Sequence, residues 1–244
     1  MKQIPNARLD TNALRQPMLG FGGSQTFNGD MISDFPGRDK VYQALFQDLK
    51  LDFYRVRNYH DYPRSALKYG RGRGNKAPVR LMFTAWSPPA RLKSNNLASG
   101  RSDGADKADQ TQFHTALKAQ RAAFPNTPLL QTEFLEGDTF VKLATQIHDT
   151  LVIGEASGYF IWMASRSFQS PSWAMVYFDP VSGVIERRER FYAMKHYSAF
   201  VGEGWNRIES SQGEDGERWR PLGKLPADTL MTLPRRSLAT IRFF

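Results

Sequence analysis

Charged and aromatic side chains stand where the predicted strands of this chain give way to loops. Five of them are, in chain order, Arg55, Asp61, Trp86, Glu133 and Trp162. A carboxylate can act as a nucleophile or as a proton carrier. Guanidinium groups bind hydroxyls in a fixed geometry, and indole faces stack on flat apolar surfaces such as pyranose rings. This set of residue types is typical of a sugar-binding site.

Four of these residues, Arg55, Trp86, Glu133 and Trp162, also have a purely structural interpretation. The two tryptophans are large enough to fill a core, and Arg55 is suited to a structural ion pair. Glu133 is either a functional carboxylate or an exposed loop acid. It directly follows the apolar run PLLQT (128–132), where the chain should be leaving a sheet, and this favours the functional interpretation.

The elements that would position these residues alternate between strand and helix. Apolar runs predict strands at 18–27, 51–58, 79–86, 128–134 and 157–164. Helical spacing predicts helices at 39–51, 111–124 and 139–156, the last with Thr139 as its N-cap. Alternation of this kind predicts a parallel sheet with crossover helices, an α/β fold whose site lies at the carboxyl ends of the strands.

The pattern changes after residue 170. A hairpin is predicted around Asp179–Gly183, followed by a helix, and short apolar runs separated by turns begin at Trp205. We therefore expect two domains, a barrel-like domain over 1–200 and a small β side domain over 201–244.

Composition narrows the classes of partner. The chain has 244 residues with 33 Lys and Arg against 24 Asp and Glu, so its net charge is +9. The segment YGRGRGNK (69–76) is one short match to an RNA-binding tract, and a solvated loop is the better interpretation, so no nucleic acid partner is expected. No membrane span and no signal peptide are predicted, because no apolar run is long enough.

Metal and cofactor chemistry is not predicted either. The chain has no Cys, which excludes disulfides and thiolate metal sites. Its four histidines are not spaced as metal ligands. We expect neither a metal site nor a cofactor.

Several segments together resemble glycoside hydrolase family 30, and they occur in that family's order along nearly the whole chain. The most specific are WSPPARLKSN (86–95) and LLQTEF (129–134). The others are GFGGS (20–24), YRVRN (54–58), QIHDTLV (146–152), YFIWMA (159–164), YAMKHYSAFVGEGWNRI (192–208) and LPRRSLATIRF (233–243).

The resemblance implies a (β/α)8 barrel with a β side domain, and hydrolysis of β-glycosides with retention of configuration. It implies that Glu133 is the nucleophile, that Trp162 lines the sugar subsite and that Trp86 lies under that subsite. Arg55 and Asp61 would hold sugar hydroxyls. It also implies an extracellular or periplasmic location and a carbohydrate as the partner.

The sequence departs from the family where the acid/base residue is expected. The family carries that residue in an Asn-Glu-Pro motif on its fourth strand, and this chain contains no such tripeptide. Only five strands are predicted before residue 165, whereas a full barrel has eight, so we predict an incomplete barrel lacking the fourth to sixth strands. Replacement acids would come from Asp103, Asp106 or Asp109.

Two further hypotheses follow from this shortening. The chain is either an active hydrolase or a carbohydrate-binding remnant without catalysis. An open sheet also leaves unpaired edges, which proteins usually cover, and two chains that pair as a homodimer would do so.

Overall fold

The computed structural model describes residues 9–25, 32, 34–57, 68, 70, 77–84, 110–133, 139–167 and 174–210. The strands, in chain order, are β1 (Leu9–Pro17), β2 (Gly20–Gln25), β3 (Phe53–Arg57), β4 (Arg80–Thr84), β5 (Leu130–Gln131), β6 (Gly158–Trp162), β7 (Ser165–Arg166), β8 (Val176–Phe178), β9 (Ile185–Arg187) and β10 (Asn206–Ser210). The helices are α1 (Arg38–Gln43, continued by a π-helical turn at Ala44–Asp48), α2 (Gln110–Ala123), α3 (Phe140–Val152) and α4 (Glu189–Ser198).

A curled, five-stranded parallel sheet forms the centre of the described chain. Its strand order is β4-β3-β2-β6-β5, and every neighbouring pair is parallel. The first of these strands along the chain, β2, lies in the middle and pairs with both β3 and β6. In a closed barrel the first strand likewise pairs with the second and the last. Among the described residues the sheet is therefore an incomplete (β/α) barrel, and the α/β prediction with its five parallel strands is confirmed.

The outer face of this sheet packs against the helices. Side chains of alternate residues on β2, β3 and β6 point to this face and are fully buried: Phe21, Tyr54, Val56, Tyr159 and Ile161. Helix α1 contributes Val41, and its π-helical turn contributes Leu45. Helix α3 contributes Leu143 and Ile147, which with Leu151 form its apolar stripe. Burial of this outer layer holds the strands in place.

Helix α3 begins where the sequence predicted. Thr139 is the N-cap, and its hydroxyl accepts a hydrogen bond from the backbone N–H of Lys142 at 3.3 Å. The cap satisfies one of the N–H groups that the first helical turn leaves without a partner. The helix ends at Val152, earlier than the predicted residue 156.

A two-stranded antiparallel sheet of β1 and β10 packs beside the barrel strands. Gln16 connects the two parts: its Nε2 donates to the backbone carbonyls of Leu151 and Ala156, at 2.6 and 3.0 Å. Strand β10 begins in the predicted β appendage. Strand β1 was not predicted, because LDTNALRQP has neither alternation nor β-branched apolar residues. The boundary near residue 200 stays a prediction, and residues 211–244 lie outside the described ones.

A small three-stranded sheet follows β6, in the order β7-β8-β9. The antiparallel β8–β9 pair is the predicted hairpin, and its turn is closed by a 2.9 Å hydrogen bond from Asp179 N to Val184 O. Helix α4 then follows, also as predicted. Strand β7, which pairs with β8 in parallel, has only two residues and was not predicted.

Candidate functional site

A row of residues from adjacent strands forms the upper layer of the sheet's inner face. Ser24 of β2 lies opposite Arg55 of β3 on one side and opposite Trp162 of β6 on the other. Residues in register on neighbouring parallel strands point to the same face. Two residues from the predicted site, Arg55 and Trp162, therefore share one face, at the carboxyl end of the sheet.

Arg55 and Glu133 form an ion pair at this edge. Arg55 Nη1 lies 2.5 Å from Glu133 Oε2, and it also lies 3.2 Å from Ser24 Oγ and 3.4 Å from the Thr132 carbonyl. The side chain of Arg55 is 8% exposed, whereas that of Glu133 is 41% exposed. The arginine is thus held by the protein, while the carboxylate is reachable from solvent.

The sequence explains why Glu133 comes to this position. Strand β5 is shorter than predicted and ends at Gln131, so Thr132 and Glu133 lie just beyond the sheet. Gln131 is buried, and its side-chain Oε1 accepts a hydrogen bond from Phe160 N at 3.4 Å. This bond fixes the end of β5 against β6, and the two following residues reach Arg55.

A layer of aromatic side chains lies beneath the row of Ser24, Arg55 and Trp162. Phe53 of β3 and Phe160 of β6 lie on either side of Gly22, and their ring centroids are 5.0 Å apart. A Cβ at Gly22 would lie 2.8 Å from Phe160, so the absence of a side chain there lets the two rings meet. The guanidinium of Arg80 lies over the Phe53 ring, 3.9 Å from its centroid. The site therefore has a packed floor, as expected of barrel interiors.

Trp162 ends β6 at the same edge but is largely enclosed. It is 7% exposed and packs with Met163 and Ala174, apart from the main core. The peptide bond between Trp162 and Met163 is cis. The carbonyl of Trp162 accepts a hydrogen bond from Arg190 of α4. The sequence did not single out Arg190, because nothing in the pattern of that helix distinguishes it.

The other predicted site residues belong to the loops that follow β3 and β4 in the sequence. Asp61, Trp86 and the three candidate acids, Asp103, Asp106 and Asp109, all lie outside the described residues. Within the described ranges, no group of three or more His, Asp or Glu side chains is arranged to hold a metal ion.

Comparison with known proteins identifies the fold. No family model and no curated protein matches the sequence. The catalytic domain of GH30 xylanase C from Talaromyces cellulolyticus is similar, with a TM-score of 0.63 and 14% identity over 84% of this chain and 80% of that one. Xyn30A from Clostridium acetobutylicum, a glycoside hydrolase family 30 subfamily 8 xylanase, gives 0.55 and 19% over 84% and 78%.

A third similar structure is named a conserved exported protein. It comes from Bacteroides fragilis and matches with a TM-score of 0.61 and 12% identity over 85% of this chain and 83% of that one. Identities this low show the fold alone. The described part of the chain therefore shares the barrel fold of these structures and contributes five parallel strands to it.

Proposed function

We propose that this chain is a retaining glycoside hydrolase for β-linked glycans, a shortened relative of family 30 with Glu133 as its nucleophile. The observation that carries the proposal is the Arg55–Glu133 ion pair at the carboxyl end of the sheet. It combines a partly exposed carboxylate with a buried arginine that holds it. Active sites of parallel barrels lie at this end, and the solved structures of this fold include xylanases.

The proposed reaction begins at the anomeric carbon of the sugar. The carboxylate of Glu133 attacks this carbon, the bond to the leaving oxygen breaks, and an acid delivers a proton to that oxygen. The acid that lost its proton then acts as a base and takes a proton from water. That water attacks the anomeric carbon and releases the sugar from Glu133. Arg55 orients the carboxylate, and Arg55, Asp61, Trp86 and Trp162 bind the sugar.

The second carboxyl group is the part of this mechanism that needs a new source. Retaining enzymes place their two carboxyl groups about 5–5.5 Å apart. In this chain the acid/base residue would come from Asp103, Asp106 or Asp109. Single changes of each to Asn would identify it, because loss of the acid slows hydrolysis of substrates with poor leaving groups more than of activated ones.

Covalent trapping tests the nucleophile without the acid. The probe is a 2-fluoro glycoside whose dinitrophenolate leaving group departs with little help from a proton donor. The protein is incubated with xylo-, gluco- and galacto-configured forms of this probe, and intact mass should show one covalent adduct. Digestion should place the adduct on a peptide containing Glu133. Glu133→Gln, with a melting curve to show that it folds, should give none. A folded wild-type protein without an adduct contradicts the proposal.

A non-catalytic carbohydrate-binding protein is the second candidate. The absence of an Asn-Glu-Pro tripeptide from the sequence favours it. This candidate predicts binding of a β-linked oligosaccharide by calorimetry, together with no trapped adduct. Binding should then be weakened by Arg55→Met and should survive Glu133→Gln.

The proposed location is outside the cytoplasm. The family resemblance and the similar exported protein from Bacteroides fragilis support it. No helix among the described residues is long and apolar enough to cross a membrane. Fractionation of the producing cell, with the protein tracked by antibody, tests the location directly.

A further inference from the structure

Arg190 is a buried charged residue that the proposed reaction does not use. It lies in the first turn of α4 and is 2% exposed. A buried guanidinium is costly unless it is hydrogen-bonded, so its partners indicate its role. Its Nη1 donates to the backbone carbonyl of Trp162, 3.2 Å away. Its charge also acts on the hydroxyl of Tyr159 on β6, opposing the burial that raises the pKa of that group.

The segment after Trp162 is held by further hydrogen bonds. Ala164 N donates to the carbonyl of Ser24 at 2.8 Å, and Met175 N donates to the carbonyl of Met163 at 3.1 Å. Ser24 also accepts the hydrogen bond of Arg55 through its hydroxyl. The segment after β6 is therefore connected to the polar row on one side and to the small sheet on the other.

We infer that Arg190 is a positioning residue of the candidate site and acts through Trp162. Its hydrogen bond fixes the Trp162 carbonyl from the helix side, while backbone bonds fix the residues that follow. Trp162 is in register with Ser24, and Ser24 with Arg55, on the same face of the sheet, so a shift of the Trp162 backbone would move its indole relative to that row. The inference rests on the proposed function insofar as it assigns the indole to a glycan subsite.

The test uses the full chain labelled with 5-fluorotryptophan. The five Trp residues give five fluorine resonances, and Trp162→Phe identifies the one from Trp162. The test variant is Arg190→Met, which removes the donor, and Arg190→Lys retains one. The control is Arg187→Met, which removes the same charge from the exposed strand β9, where the side chain is 45% exposed.

We expect Arg190→Met to shift the Trp162 resonance while the other four stay in place. Trapping by the 2-fluoro glycoside should slow about tenfold, since small displacements of positioning groups are costly. For both the Trp162 resonance and the trapping rate, Arg190→Lys should lie between the wild type and Arg190→Met. Arg187→Met should match the wild type in both. A folded Arg190→Met protein with an unmoved Trp162 resonance overturns the inference.

Two outcomes separate this inference from the proposed function. Wild-type protein that traps no sugar contradicts the hydrolase, yet the fluorine resonance still decides whether Arg190 positions Trp162. If Arg190→Met does not fold, Arg190→Lys carries the test: a shift confined to Trp162 supports the inference, and an unmoved Trp162 resonance overturns it.

Discussion

Arg55 concentrates the polar contacts at the carboxyl edge of the sheet. A single nitrogen of its guanidinium lies within 3.4 Å of Glu133, Ser24 and the Thr132 carbonyl. Because Arg55 is buried, removal of its carboxylate partner leaves a charge with weaker compensation. The sequence allowed two interpretations of Arg55, a structural ion-pair residue or a sugar ligand. Because its ion-pair partner is the candidate nucleophile, both interpretations place Arg55 in the candidate site.

A double-mutant cycle should measure this pairing. Arg55→Met, Glu133→Gln and the double variant should show a coupling of about 2 kcal/mol in the free energy of unfolding, measured by chemical denaturation and larger than that of an exposed pair. The Arg80–Glu203 pair is a matched control, since its charged atoms lie 2.6 Å apart but its side chains are 39% and 42% exposed. Exposed pairs couple by about 0.2–1 kcal/mol. Equal coupling in both pairs would mean that the burial of Arg55 does not strengthen its pairing with Glu133.

Gly22 allows the aromatic floor beneath the site to close. Gly22→Ala should lower the free energy of unfolding by about 1–3 kcal/mol, because its Cβ would overlap Phe160. Chemical denaturation of Gly22→Ala, Phe160→Leu and the double variant checks the cause. The smaller Leu makes room, so the double variant should be destabilised by less than the sum of the two single changes. Additive losses would show that the clash with Phe160 is not the reason.

At the scale of elements, α3 and α4 pack against each other beside the sheet. The ring of His196 on α4 meets the edge of Phe140 on α3, with centroids 6.1 Å apart. Tyr197 of α4 donates a hydrogen bond to the carbonyl of Ala144 on α3, at 2.9 Å. Helix α4 also carries Arg190, so this packing contributes to the position of the site.

This packing should make stability depend on pH. Burial lowers the pKa of His196 from 6.5 to about 4. Between these values the unfolded chain binds more protons than the folded one, so stability should fall as the pH drops from about 6.5 to about 4. His196→Phe keeps a ring against Phe140 and should flatten the pH dependence of urea unfolding in this range. An unchanged slope would assign the dependence to other groups, such as His148, whose pKa burial also lowers.

For the whole molecule, the open sheet predicts association. Among the described residues, β4 pairs only with β3 and β5 only with β6. Phe83 on the outermost strand β4 is 57% exposed. Unpaired edges favour pairing with another chain, and a homodimer formed through this edge remains our proposal.

Sedimentation velocity should show a concentration-dependent dimer. Phe83→Lys should shift the population toward monomer, because a charge on an edge strand opposes pairing. Phe124→Lys is a control for the change to lysine, since Phe124 is similarly exposed at 55% but follows helix α2 and is not part of β4. A wild-type protein that stays monomeric at high concentration contradicts the proposal.

The sequence by itself determined which segments are strands and which are helices in most of the described chain. Apolar periodicity, the Thr139 cap and the turn at Asp179–Gly183 are local signals, because they depend on side chains a few residues apart. It also identified Arg55, Glu133 and Trp162 as candidates, since each stands at the carboxyl end of a predicted strand. Its main failures are β1 and β7: β1 has a weak local pattern and pairs with the distant strand β10, and β7 has only two residues.

Only the tertiary structure decided how these elements meet. Gly20 pairs with Gly158, and Leu9 with Ser210, across separations that no local pattern encodes. No local pattern encodes the 2.5 Å contact between Arg55 and Glu133 either, or the hydrogen bond from Arg190 to the carbonyl of the buried Trp162. Strand order and side-chain burial arise from packing the whole chain around one core. They therefore depend on all elements together rather than on the segment that carries each residue.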